Sequence, residues 1–163
     1  MLSLDETNIR ASFVNASRKE VSDLSLPDGF SELRWDRLDY LGWRDRRISR
    51  RAYLVIPIDG AVVGIVLRQA EASPRSRAQC SWCQDVRLPN DVVFYSAKRG
   101  GEAGRKGDTV GTLVCSEFQC SANVRTALPM AYLGFDVDAA REERIATLRA
   151  SAGGFAAVVL RGS

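Results

Sequence analysis

Four cysteines in two pairs, in a chain with no histidine, restrict what this sequence can become more than any other feature. Cys80-Ser81-Trp82-Cys83 is followed, after about thirty residues, by Cys115-Ser116-Glu117-Phe118-Gln119-Cys120. That is ligand spacing for one zinc ion held by Cys80, Cys83, Cys115 and Cys120. A tetrahedral ion with four thiolates has no vacant position for water or substrate, so it serves a fold and not a reaction. The missing imidazole also removes Ser-His-Asp and Cys-His catalysis and any histidine base. The expectation is a binding protein with no enzymatic activity.

Other uses of the cysteines fit less well. Two disulfides in one of three connectivities would suit an exported chain, but Met1–Glu6 has no basic start followed by an apolar stretch. The expected location is therefore the cytoplasm, where disulfides are uncommon. A thioredoxin-like pair would open a helix after a buried strand, whereas Ser73-Pro74-Arg75-Ser76-Arg77 ahead of Cys80 reads as a loop. No apolar run is long enough to span a bilayer.

Charge is unevenly spread along the 163 residues. Residues 1–45 carry 6 basic and 9 acidic side chains, residues 46–127 carry 13 and 7, and residues 128–163 carry 4 of each. The positive excess thus coincides with the cysteine-bearing middle. It points to an acidic partner surface or to nucleic acid, or is a solvated face. The densest run, Arg44–Arg51, has five arginines and one aspartate.

The pattern of the chain is mixed. Ser3 and Glu6 form a capping box, and Ile9, Phe13 and Ala16 recur at helical spacing, which predicts a first helix ending before Pro27. A second helical or irregular stretch carries Leu33, Trp35, Leu38, Leu41 and Trp43 as core. Ala52–Ile56 and Val62–Leu67 flank Asp59-Gly60 and read as a tight hairpin. Val92–Ala97 and Thr109–Val114 read as two further strands around a loop, 98–108, with four glycines and four basic residues. That loop fails the nucleotide-cradle template, since no Lys-Ser or Lys-Thr sits at the required offset and a strand follows. It is expected to be a mobile, charged hairpin tip.

A helix over about 117–126 would carry Cys120 in its first turn, with Pro129 closing it. Knuckle, hairpin and ligand-bearing helix together make a treble clef. Asp138 is expected to cap a last helix with Ile145, Leu148, Ala152, Phe155 and Val159 on one stripe, weakened by Gly153-Gly154. The fold class is therefore α+β: a helical N-terminal region over 1–50, then a β-hairpin plus zinc-finger domain with C-terminal helices over 51–163.

Several segments together resemble the bacterial elongation factor G-binding family, whose better-known members are the fusidic acid resistance proteins. They are Ile9-Arg10-Ala11-Ser12-Phe13-Val14-Asn15, Leu41-Gly42-Trp43-Arg44-Asp45, the Asp59-Gly60 hairpin, and the cysteine pairs joined through Ala103-Gly104-Arg105-Lys106-Gly107-Asp108-Thr109-Val110-Gly111-Thr112. The resemblance implies a helical part joined to a treble-clef zinc domain that binds elongation factor G and promotes its release from drug-stalled ribosomes. The helical part here is shorter than the full bundle of the resistance proteins. By the same resemblance, Trp82 and Lys106, with Arg105 beside the latter, match the family's factor-binding positions; the other reading of Trp82 is that it packs on the zinc domain's own helix. The nearby cations Lys98 and Arg99 complete the expected partner face. An RNA- or ribosome-binding zinc module, with Trp82 stacking on a base and the basic residues on phosphates, is the competing expectation.

Overall fold

The computed structural model describes residues 1–71, 78–85, 91–127 and 134–161. Its centre is a five-stranded antiparallel meander in the order β1-β2-β3-β4-β5. The strands are β1 (Leu41–Arg44), β2 (Arg51–Ile58), β3 (Ala61–Gln69), β4 (Val92–Lys98) and β5 (Thr109–Cys115). The β2–β3 hairpin turns at Asp59 and Gly60, with φ of 47° and 80°, the paired left-handed conformations of a tight hairpin turn. The expected hairpin is therefore present, and Leu54 faces Ile65 across it.

The N-terminal region departs from the expected single helix. Asp5, not Ser3, caps α1 (Glu6–Ala11), its carboxylate accepting from the Asn8 amide at 2.7 Å. The chain leaves the helix at Ser12 because a sheet edge competes for its backbone. Gly64 N donates to Ser12 O at 2.9 Å, and Val14 N to Gly64 O at 3.0 Å. Gly64 permits this approach, since a Cβ there would stand 2.9 Å from the Phe13 amide nitrogen. A capping box, Ser17 with Glu20, then starts α2 (Arg18–Asp23). Leu33 and Trp35 lie in or beside 3-10 turns at Phe30–Glu32 and Trp35–Arg37, while Leu41 and Trp43 belong to β1.

β3 and β4 pair directly only at Arg68↔Ser96 and Gln69↔Tyr95. Beyond that the strands part, and Asn15 bridges them. Its side chain accepts from Val66 N at 2.8 Å and donates to Val66 O at 3.0 Å and Lys98 O at 2.9 Å. One carboxamide thus substitutes for a missing ladder rung.

Two apolar layers sandwich the sheet. On the inner face, Leu54, Ile65, Leu67, Tyr95 and Val114 meet the stripe of α5 (Val137–Leu160), namely Ile145, Leu148, Ala152, Phe155 and Val159. On the outer face, Tyr53, Val55, Leu41 and Trp43 are covered by Ile9, Leu24 and the partly buried residues of the N-terminal cap. α5 is capped by Asp136, two residues before the expected Asp138, and runs unbroken through Gly153-Gly154 because the opposite stripe holds it. The expected closing role of Pro129 lies outside the described residues.

A buried carboxylate ties the cap to the helices. Asp39, with a fully buried side chain, accepts from Arg125 Nη2 at 3.1 Å and Arg149 Nε at 2.8 Å, while its amide donates to Ser121 Oγ at 2.9 Å. Burial pushes its acidity toward the neutral form, but the two guanidiniums outweigh it and hold the carboxyl below its ordinary range.

Candidate metal centre and the surface around it

The knuckle carrying Cys80 and Cys83 runs along the free edge of β5, where Ser81 N donates to Leu113 O at 2.9 Å. β5 ends in Cys115, and a turn with Phe118 at positive φ delivers Cys120 to the first position of α4 (Cys120–Arg125). This helix starts three residues later than expected, and its first turn supplies the fourth sulfur. All four cysteines are buried, with their sulfurs within 4.8 Å of one another. Cys80 and Cys120 sulfurs lie 3.7 Å apart, and Cys83 and Cys115 sulfurs 3.5 Å. A tetrahedron with Zn–S bonds of about 2.3 Å has sulfur–sulfur edges of about 3.8 Å, so the four donors fit one zinc ion.

The acidities of these thiols point the same way. Cys115, Cys120 and Cys83 interact with the Cys80 sulfur and pull it far below the ordinary thiol range, while pairing with Cys115, then Cys80, pushes Cys120 far above it. Four crowded thiols cannot all ionise together on their own. A dication at their centre removes the conflict, because it stabilises every thiolate at once.

A second layer of donors surrounds the sulfurs. The amides of Trp82 and Cys83 point at Cys80 Sγ at 3.4 and 3.5 Å. Asn123, one turn after Cys120 on α4, reaches Cys115 Sγ at 3.5 Å and Cys83 Sγ at 3.7 Å through Nδ2. Sequence reading missed Asn123. The signal was present as a carboxamide three residues after a helix-opening ligand, the spacing that returns a side chain to the same helix face. Asn123→Ala is expected to keep one zinc per chain but weaken it about 10- to 100-fold in competition with a chromogenic chelator.

The residues expected to face a partner separate into two groups. Trp82 is 2% exposed, with its ring 5.1 Å from Tyr40 and 5.7 Å from Phe155. Its position inside the knuckle turns it inward, where it joins the zinc site to the core. Arg99 is also occupied, since Nη1 donates to Val158 O at 2.9 Å and Gly100 N donates to Val159 O at 2.9 Å. The hairpin tip therefore caps the carboxyl end of α5. It is no free loop, for it contains α3 (Gly101–Arg105). A Cβ on Gly104 would collide with the Arg99 carbonyl. Lys98, Arg105 and Lys106 remain exposed, Lys106 pairing with Glu102 at 2.7 Å. The Arg44–Arg51 run is largely ion-paired: Arg44 with Glu117, Arg46 with Asp28, Arg50 with Glu71 and Arg51 with Glu20.

This knuckle, hairpin and ligand-bearing helix match the FBP C-terminal treble-clef zinc-finger family, whose model aligns with residues 8–159. The chain belongs to that family. As a treble-clef zinc finger of this family, it holds its metal in a structural, four-thiolate site. Among solved structures it resembles that of the fusidic acid resistance protein FusC, with 24% sequence identity and a TM-score of 0.50. The match covers 65% of this chain and 47% of that chain, so this family member spans about half the length of FusC. The likeness is one of fold. No curated protein matches the sequence. None of the described helices is long and apolar enough to cross a membrane.

Proposed function

We propose that this FBP-family zinc finger binds translation elongation factor G in the cytoplasm and changes how long the factor stays on the ribosome, contributing to fusidic acid tolerance. The observation that carries the reading is the family match, which extends over nearly the whole chain. The resemblance in sequence to the elongation factor G-binding proteins supplies the partner, and the fold shared with FusC is consistent with it. Arg105 and Lys106, exposed at the α3 tip of the β4–β5 hairpin, are the basic side chains we assign to that contact. Trp82 and Arg99 act in the fold instead.

No covalent step is involved. The zinc ion, closed by four thiolates, fixes the knuckles against β5 and α4 and so presents a rigid face. A binder of this kind shifts its partner only through differential affinity for two states. Favouring the released conformation of the factor by about 1.4 kcal/mol would raise its share relative to the bound one tenfold. The test is the dissociation of fluorescently labelled elongation factor G from ribosomes held with GDP and fusidic acid. Release should accelerate with the zinc-loaded protein and much less with an Arg105→Ala, Lys106→Ala double variant. Identical release with and without the protein would refute the proposal.

A further inference from the structure

The N-terminal cap covers the outer face of the sheet over β1–β3 and reaches β4 through Asn15 at Lys98, so among the described residues the rest of the β4–β5 half is left open. On that uncovered half, Phe94, Ser96 and Lys98 project from β4 on one side, two residues apart. Phe94 is 43% exposed, the reverse of what burial asks of a large aromatic ring. Its ring lies on the bare backbone of Gly111, where any Cβ would run into it. The far end of the ring is thereby seated over β5, while much of the ring stays open to solvent.

Cations continue across the next rung. Arg51 pairs in register with Arg68, Arg68 with Ser96, and Ser96 with Gly111. They border a groove of about 570 Å³ between the sheet and the cap, whose lining includes Arg50, Arg51, Arg68, Lys98, Ser96 and Thr109. Glu20 is its one acidic lining residue among the described residues, and it lies 3.8 Å from Arg51. Among the described residues, no carboxylate lies within ion-pairing distance of Arg68 or Lys98.

From this arrangement we infer that the open β4–β5 face is a second binding surface, for single-stranded RNA, with one base stacked on Phe94 and the adjoining phosphates on Arg68 and Lys98. The step from Phe94 to the cationic rung is two strand residues, about 7 Å, suited to a base and the backbone that carries it. An exposed aromatic ring beside a positive groove is how sheet surfaces hold unpaired nucleotides, and the exposed Thr109 hydroxyl suits ribose. An acidic protein surface would use the cations and cover the ring, but would not require the two to stand one nucleotide step apart.

The experiment is fluorescence anisotropy of a labelled ten-nucleotide oligouridine with the zinc-loaded full chain, repeated across a potassium chloride series. The variants are Phe94→Leu, which keeps an apolar side chain without a stacking face, and an Arg68→Gln, Lys98→Gln pair. Zinc content and thermal unfolding confirm that each is folded. Saturable binding is expected, weakened about tenfold or more by Phe94→Leu. The paired variant should lower the slope of log affinity against log salt by about 1.4, as two lost phosphate contacts require. Absence of binding, or binding unchanged by both substitutions, would overturn the inference. Competition by polyglutamate equal to that of unlabelled oligouridine, with Phe94→Leu unaffected, would overturn it in favour of an acidic protein partner.

Discussion

Replacing Cys120 by serine is expected to abolish stoichiometric zinc and to unfold the knuckles together with the core they close. Cys120 is the ligand that joins α4 to the other three sulfurs, and its own side chain is fully buried. Structural zinc in small fingers contributes about 10–16 kcal/mol of apparent binding at neutral pH. A domain of this size has a total stability of about 5–15 kcal/mol. Losing the ion therefore outweighs what the remaining apolar packing supplies. Chelation of the unmodified protein should act in the same direction, and so should acid, because protons compete with zinc for thiolates. Zinc content measured beside circular dichroism and urea unfolding checks all three. A Cys120→Ser protein with full zinc and an unshifted unfolding midpoint would contradict the four-thiolate site.

The second large effect is expected at Trp82. Its indole fills the space between Tyr40, which precedes β1, and Phe155 on α5, so three distant parts of the chain converge on one ring. Trp82→Ala should cost about 3–5 kcal/mol, the range for removing a buried aromatic. Thermal unfolding reads the loss. A partner-contact role for Trp82 makes the opposite prediction: unaltered stability with weakened binding. Trp82→Phe, which keeps an aromatic body, should recover most of the stability.

The contrast at Trp82 shows where sequence reading stops. The cysteine pairs were legible because metal spacing is local and strict, and the hairpin because Asp59-Gly60 between two apolar strands admits few other conformations. The stripe of α5 was legible from its period. What could not be read depends on long-range partners. The helical pattern of Ile9, Phe13 and Ala16 breaks at Ser12 only because Gly64 offers a backbone to pair with, 52 residues later. Trp43 reads as part of an aromatic helical stripe until β2 is placed beside it. Arg99 reads as a free cation until the carboxyl end of α5 arrives to accept its hydrogen bond. Asp39 gave no local signal, yet it gathers Arg125 and Arg149 from two helices.

That division bears on the site itself. The four ligands could be named from spacing, whereas Asn123 carried only its place three residues after Cys120, a weak signal until its amide stood beside two sulfurs. The partner face was the least legible part, since exposure is set by the whole fold. Two of the five side chains first assigned to it, Trp82 and Arg99, are used internally.

Calorimetric titration of the zinc-loaded protein into elongation factor G from the same organism tests the central claim most directly, with the Arg105→Ala, Lys106→Ala variant alongside. Saturable one-to-one binding that the variant weakens at least tenfold, with zinc and fold intact in both proteins, is the predicted result. No binding at micromolar concentrations by a folded, zinc-loaded protein would contradict it.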